Sequence, residues 1–270
     1  MIVIGERINT SRKGISPAVE TRNTVFIQNE ATTQAAAGIS YLDINVGTFV
    51  NNEPEVSVWA IRTARAVTKV PLCIDSPSAK VLEQGIKLCR ELDGPAADIL
   101  LNSLSAEKKR LAEVLPIVKE HRCGIVALCL DDNGLPQTFD QRMGIADFLV
   151  NQITAAGVPL DRIFIDPLII PLGTDHYQGK IVLDTITALK AKYPAVHIVC
   201  GLSNISYGLP ERKLINQLFL VLAVQAGLDA VILDPLDKKM MSNLCIAEMI
   251  LGKDEYCANY LTVFRQGQLG

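Results

Sequence analysis

Short apolar runs recur along the chain at a steady interval, and amphipathic stretches separate them. Eight of these runs are typical of β-strands, and they cover residues 2–4, 41–44, 72–74, 99–101, 125–130, 163–165, 198–200 and 230–233. The stretches with the clearest helical periodicity cover residues 23–37, 106–120, 141–156 and 214–226. Because the strand-like runs lack polar alternation, they predict parallel strands that are covered on both faces.

The regular alternation of strand and helix predicts an α/β protein, a single (β/α)8 TIM-type barrel. Such a barrel typically uses about 250 residues, and the chain has 270. No linker, low-complexity tract or charge block divides the sequence, so we expect residues 1–270 to form one barrel. A doubly wound open sheet stays an alternative at this point, because periodicity does not reveal closure.

Composition and charge argue against several classes of function. A net charge of −3 gives no electrostatic attraction to nucleic acid or to an anionic membrane surface. No apolar run approaches the roughly 18 residues that span a bilayer, and the first residues do not resemble a secretion signal. Seven scattered cysteines without a Cys-x-x-Cys pair indicate reduced thiols in a cytoplasmic protein. Three dispersed histidines are too few for a His-based zinc site, so we expect no resident metal.

Nearly every predicted strand ends on a carboxylate or a carboxamide. In chain order these strand-end residues are Glu6, Asn9, Asp43, Asn45, Asp75, Asn102, Asp166, Asn204 and Asp234. The carboxyl ends of barrel strands converge on one mouth, where barrel enzymes place their active sites. The pattern therefore predicts a polar ligand site at the mouth.

Helix N-capping is the alternative interpretation of the same residues, because Asp and Asn are common caps. Ser76 and Ser105 are better placed as caps, which leaves Asp75 and Asn102 free for a ligand. The set contains no nucleophile–His pair and no phosphate-type glycine loop. Carboxylates accept hydrogen bonds from amino and ring N–H groups, and carboxamides both donate and accept, so this lining suits a flat heterocycle such as a pterin.

The strand-end motifs resemble those of the methyltetrahydrofolate:corrinoid methyltransferases and of the folate-binding domain of cobalamin-dependent methionine synthase. The resemblance extends over essentially the whole chain, with one motif at each matched strand end. It implies a pterin-binding barrel that moves a methyl group between N5 of tetrahydrofolate and the cobalt of a corrinoid. The motifs are Gly5-Glu6-Arg7-Ile8-Asn9, Asp43-Ile44-Asn45-Val46-Gly47, Asp75-Ser76, Asn102-Ser103, Asp166-Pro167-Leu168 and Gly201-Leu202-Ser203-Asn204-Ile205-Ser206.

The resemblance also implies a role for particular residues. Asp75, Asn102 and Asp166 would hydrogen-bond the pterin edge, with Asp166 on the amino-pyrimidinone side. Asn204 would lie beside N5 and stabilise its protonated form, because an amine that departs as an anion is a poor leaving group. Asp75 would belong to the network that supplies the proton. The other expected substrate-binding residues are Glu6, Asn9, Asp43, Asn45, Gly201, Ser203 and Arg212.

Two other functions are considered beside methyl transfer. The dihydropteroate synthases are broader relatives, but their first two strand-end loops differ from those of this chain, which argues against pterin synthesis. A non-catalytic folate-binding subunit would not require Asn204 beside N5. The sequence leaves the direction of methyl transfer open.

The corrinoid is expected to arrive on a partner protein. Residues Asp175-His176-Tyr177-Gln178-Gly179 are similar to the Asp-x-His-x-x-Gly cobalamin motif but lack the residue between Asp and His. Since all eight barrel units are already assigned, no corrinoid domain fits within the chain. The family resemblance further implies a homodimer whose interface lies on the helices, away from the mouth.

Overall fold

Eight parallel strands form a closed barrel in the computed structural model, which describes all 270 residues. The strands are β1 (Ile2–Asn9), β2 (Tyr41–Asn45), β3 (Leu72–Asp75), β4 (Ile99–Ser105), β5 (Gly124–Leu128), β6 (Ile163–Asp166), β7 (His197–Gly201) and β8 (Ala230–Leu233). Strand order follows chain order, and β8 pairs with β1. The barrel prediction is confirmed, and the open sheet was the wrong alternative.

Helices α2 to α9 follow the eight strands, and two short helices are added to this pattern. The helices are α1 (Ile15–Glu20), α2 (Thr24–Ala36), α3 (Glu53–Arg65), α4 (Ala79–Asp93), α5 (Lys108–His121), α6 (Phe139–Ala155), α7 (Gln178–Lys192), α8 (Arg212–Ala226), α9 (Lys238–Ile250) and α10 (Ala258–Arg265). Helix α1 precedes α2 in the first crossover, and α10 follows the last barrel helix. None of the helices is both long and apolar enough to cross a membrane.

The two serines predicted as N-caps do not cap their helices. Ser78 caps α4 by accepting a hydrogen bond from the backbone N–H of Val81, whereas the Ser76 hydroxyl donates to Glu53 at 2.6 Å. Strand β4 continues to Ser105, so α5 begins two residues later than the periodicity indicated, after Glu107. Asp75 and Asn102 are nevertheless not caps, as expected.

One apolar ring fills the interior of the barrel. Each strand contributes one side chain to it, and the members are Ile4, Tyr41, Cys73, Leu100, Val126, Phe164, Val199 and Ala230. A separate core of 57 buried residues fills the space between the strands and the helices. The apolar ring makes the barrel a solid core rather than a pore, and it forms the lower boundary of anything bound at the mouth.

Polar side chains close the barrel at the end opposite to the mouth. The Tyr41 hydroxyl donates to Asp98 at 3.0 Å, and Arg162 forms an ion pair with the same carboxylate at 2.7 Å. Burial and the Asp98 charge raise the pKa of Tyr41 to about 12, so its hydroxyl stays a hydrogen-bond donor. The polar groups at this end bind one another, so the mouth is the end of the barrel whose polar groups can bind a ligand.

Candidate active site

The floor of the mouth lies one layer above the apolar ring. Side chains of a strand alternate between its two faces, so the residue two positions beyond each ring member also points into the barrel. On two strands this residue is apolar, Leu128 and Ile232. On the other six it is one of the predicted site residues, namely Glu6, Asp43, Asp75, Asn102, Asp166 and Gly201. The barrel geometry thus brings together six residues that lie far apart in sequence.

Three of the expected polar residues lie side by side across β2, β3 and β4. Asn45 pairs in register with Asp75, and Asp75 pairs with Asn102. The Asn45 amide donates to Asp75 at 2.7 Å, and its oxygen accepts from the backbone N–H of Gly47 at 3.1 Å. One end of the Asn45 side chain therefore orients Asp75, and the other holds the loop after β2. The Asn102 side chain makes no hydrogen bond within the protein.

A cleft of about 450 Å³ opens beside Asp75 and Asn102. Its walls include Leu128 from the next strand and the guanidinium of Arg110 from α5. The pattern of strand ends did not reveal Arg110, because it lies in a helix. Arg110 donates to the backbone carbonyls of Ser76 and Ser103, both at 2.9 Å, and so ties the loop after β3 to the end of β4 beside the cleft.

Asp166 lies on the other side of Leu128, with which it pairs in register. Asp166 is 8% exposed, and one of its carboxylate oxygens accepts a hydrogen bond from the backbone N–H of Leu168 at 2.9 Å. The second oxygen has no donor within the protein. Burial raises the pKa of Asp166 to about 7, although the Leu168 bond opposes the shift. An ionised Asp166 therefore requires a further donor, which the protein does not supply.

The other carboxyl groups of the floor are also hard to ionise. Burial raises the pKa of Glu6 to about 7 and that of Asp75 to about 6, and the Asn45 hydrogen bond limits the latter shift. Burial and the neighbouring Asp75 charge raise the pKa of Asp43 well above its usual value, and one Asp43 oxygen has no partner. The carboxyl groups of the floor thus form a set of acceptors that would be stabilised by a ligand rich in N–H donors.

A second cleft, of about 340 Å³, lies between β1 and β8 and includes Glu6, Ser203 and Asp234. The Asp234 carboxylate is held by two cations, Arg7 at 2.9 Å and Arg12 at 3.0 Å. Asp234 is thus neutralised within the protein, unlike Asp166.

Asn204 lies in the loop that follows β7, within a short 3-10 turn from Leu202 to Ser206. It is exposed, and its side chain makes no hydrogen bond in the protein. The loop is instead held by the Ser206 hydroxyl, which donates to Asn216 at 2.7 Å, and by Arg212. The Asn204 amide is therefore free to meet a ligand at the mouth.

Two expected substrate contacts are engaged in local structure. Arg212 donates to the Ser203 carbonyl at 2.7 Å and to the Ser206 hydroxyl at 3.2 Å, so it fastens the loop that carries Asn204. The Asn9 side chain accepts from the backbone N–H of Ser11 at 2.9 Å and shapes the turn after β1. Substrate contacts by Arg212 and Asn9 stay predictions.

Comparison with known proteins agrees with the motifs. Residues 5–234 match the family described as pterin binding enzyme. The chain is 34% identical over 272 residues to a methylcorrinoid:tetrahydrofolate methyltransferase of Eubacterium limosum, covering 100% of this chain and 98% of that protein. It is 31% identical over 246 residues to a methionine synthase of Mycobacterium tuberculosis, covering 86% of this chain and 20% of that longer protein.

Solved structures of dihydropteroate synthases share the fold. The enzyme of Coxiella burnetii with pteroic acid gives a TM-score of 0.71 at 16% identity and covers 92% of each chain. The enzyme of Xanthomonas albilineans with 7,8-dihydropteroate gives 0.68 at 21% identity and covers 93% of each chain. At these identities the likeness concerns the barrel alone. The family match and the full-length relative show that the chain belongs to the pterin-binding enzymes and, among them, to the corrinoid-linked methyltransferases.

Proposed function

We propose that the chain is a methyltransferase that moves a methyl group between N5 of tetrahydrofolate and the cobalt of a corrinoid carried by a partner protein. The observation that carries the proposal is full-length similarity to a protein named for this reaction. The polar floor above the apolar ring supports it independently. Residues 1–270 would act as one methyltransferase barrel, and we place the protein in the cytoplasm, consistent with six buried free cysteines.

The floor fits the hydrogen-bonding edge of a pterin. That edge presents ring and amino N–H donors beside a carbonyl acceptor. Asp166 has one oxygen without a donor, and Asn102 has a free amide that can both donate and accept. Asp75, oriented by Asn45, adds a second acceptor on the opposite side of Leu128. Binding of such donors would ionise Asp166 and offset its desolvation.

Asn204 would act at N5, the atom that exchanges the methyl group. In transfer to cobalt, the Co(I) electron pair attacks the methyl carbon, the C–N5 bond breaks, and its electron pair stays on protonated N5. Transfer to folate is the reverse, so the same contacts serve both directions. The Asn204 oxygen can accept from the N5 proton and stabilise its charge. The name of the full-length relative has methylcorrinoid as donor, which favours folate as the acceptor.

Pterin synthesis is the weaker candidate. The synthases share only the fold with this chain, and the first two strand-end motifs, at residues 5–9 and 43–47, differ from theirs. A purely folate-binding role would leave the free Asn204 amide without a purpose.

Exposed apolar side chains at the mouth support the docking of a partner protein. Five different strand-to-helix loops each carry one, and these residues are Val50, Leu135, Tyr177, Tyr207 and Leu236. Clusters of exposed apolar residues mark interaction surfaces. A corrinoid protein must cover this rim to bring its cobalt within reach of N5.

We further propose a homodimer whose interface lies on the helical surface. Helix α8 exposes three leucines at four-residue spacing, Leu214, Leu218 and Leu222, with exposed fractions of 61%, 63% and 46%. Residues at this spacing share one face of a helix. A two-fold contact of this stripe would bury it and leave the mouth accessible.

The Asn204→Ala variant should lose transition-state stabilisation more than substrate binding. We expect the rate constant for transfer from methyl-folate to Co(I) to fall by about 10²-fold, while the folate Kd changes less. The wild-type rate should also fall as pH rises, because the reactive N5 is protonated. Stopped-flow absorbance of the cobalt and folate titrations measure both quantities. Equal losses in rate and affinity would contradict a role at N5.

Folate affinity should depend on the ionisation of Asp166. Below its pKa of about 7 the carboxyl group is neutral, and its free oxygen is a weaker acceptor for the pterin N–H groups. We therefore expect Kd to fall as pH rises from about 5.5 to about 8, with proton release on binding. Asp166→Asn should bind more weakly and lose most of this dependence, whereas Asp161→Asn, at an exposed position before β6, should retain it. Calorimetry in buffers of different ionisation enthalpy tests both, and an unchanged profile in Asp166→Asn would remove Asp166 from the site.

Leu135→Ser should weaken binding of the corrinoid protein but not binding of folate. Removal of one apolar rim contact should raise KM for the corrinoid protein by about tenfold or more, as expected for the roughly 1.5–3 kcal/mol of one buried apolar side chain. Leu160→Ser is the matched control, because Leu160 is 39% exposed at the opposite end of the barrel. Equal KM values for the two variants would argue against docking on the rim.

Leu218→Arg should dissociate the proposed dimer. A charge in the centre of the leucine stripe would be buried without a partner, so light scattering at micromolar concentration should give a monomer mass. The control is Phe148→Arg on α6, an exposed position outside the stripe. A monomeric wild-type protein, or a dimer that tolerates Leu218→Arg, would refute the interface.

A further inference from the structure

A fully buried arginine without an acidic partner lies directly behind the Asp166 loop. Arg142 on α6 is 0% exposed and forms no ion pair. Its Nε donates to the Pro167 carbonyl at 2.9 Å, and Nη2 reaches the Leu168 carbonyl at 3.3 Å. An unpaired buried cation is costly, and burial lowers the pKa of Arg142. Such a residue in a barrel core calls for an explanation beyond packing.

The loop that Arg142 holds has an unfavourable backbone conformation. Leu168 has a φ of 59°, in the left-handed region that a side chain disfavours. This conformation directs the Leu168 N–H to one oxygen of Asp166 at 2.9 Å. Arg142 accounts for the persistence of the conformation, because its guanidinium binds the carbonyls of both residues that follow Asp166.

Gln178 extends this contact to the start of α7. It is 1% exposed, its oxygen accepts from Arg142 Nη2 at 2.8 Å, and its amide donates to Asp175 at 2.9 Å and to the Gln137 carbonyl at 3.0 Å. Gln178 and Asp175 belong to the segment at 175–179 that is similar to a cobalamin motif. In the structure this segment anchors a buried arginine, because Gln178 accepts a hydrogen bond from Arg142.

We propose that Arg142 and Gln178, together the Arg142 strut, are positioning residues for the pterin site. The strut holds the left-handed turn at Leu168, which binds one oxygen of Asp166 and leaves the other directed to the pterin. This inference rests on the proposed function, since it assigns the strut to the folate contact of Asp166. A guanidinium is required, because its planar fork reaches the carbonyls of Pro167 and Leu168 and the side chain of Gln178 at once, which a lysine cannot do.

The strut is tested with Arg142→Lys and Gln178→Leu, since Arg142→Met could fail to fold. Each variant should raise the folate Kd by about tenfold, as expected for the loss of one well-oriented charge-assisted hydrogen bond. The rate constant for methyl transfer at saturating folate should stay within about threefold of the wild-type value, because Asn204 is unchanged. Arg162→Met is the matched control, because Arg162 is half-buried and binds Asp98 at the other end of the barrel. It should lower Tm without a change in Kd.

A double-mutant cycle decides whether the strut acts through Asp166. In an Asp166→Asn background, Arg142→Lys should cause little further loss of affinity, whereas additive losses would overturn the proposal. Hydrogen exchange of the free protein gives a readout that is independent of folate. The segment 166–172 should exchange faster in Arg142→Lys and Gln178→Leu but not in Arg162→Met, and unchanged exchange would also overturn the proposal. A wild-type protein that binds no folate would refute the proposed function instead, with the exchange result still deciding the strut.

Discussion

The apolar ring inside the barrel is the constraint on which the site depends. Eight side chains, one from each strand, fill the interior and fix the height of the mouth floor. Side chains alternate between the two faces of a strand, so the next inward-pointing residue lies two positions beyond each ring member. Because the ring is filled with apolar groups, this next layer forms the floor of the mouth. Leu128 and Ile232 keep two positions of that layer apolar, and they divide the polar residues into separate groups. A one-residue shift of a strand that carries a polar floor residue would bury that residue against a helix.

The floor is unfavourable for the protein alone. Glu6, Asp75 and Asp166 are carboxyl groups whose ionisation is opposed chiefly by burial, and Asp43 has an unpartnered oxygen. Natural proteins retain such groups where a ligand completes their hydrogen bonds. Burying these groups without partners costs free energy, and this cost favours a donor-rich ligand, because a ligand without donors leaves them unpaired.

Local patterns revealed the barrel and most of its floor. Apolar runs located all eight strands, and the strand-end rule located Asp75, Asn102 and Asp166 without knowledge of closure. The same rule could not distinguish Asn45, which orients Asp75, from Asn102, which has a free amide, since both are strand-end carboxamides. It also could not reveal the contact of Arg142 with Pro167, which is 25 residues away, or the Arg7–Asp234 pair, which spans 227 residues. Such contacts depend on the three-dimensional course of the loops and leave no periodic signal.

The arginines explain why the mouth keeps its acidic character. Arg7 and Arg12 neutralise Asp234, while Arg110, Arg142 and Arg212 all donate to backbone carbonyls at or just after strand ends. Cations are therefore abundant around the site, yet none of them forms an ion pair with Asp166 or Asp75. Had one done so, the paired carboxylate would hold its charge in the free protein, and a pterin N–H would have to displace the arginine. Because the arginines donate to carbonyls, they fix the loops and leave the carboxylates available to bind the substrate.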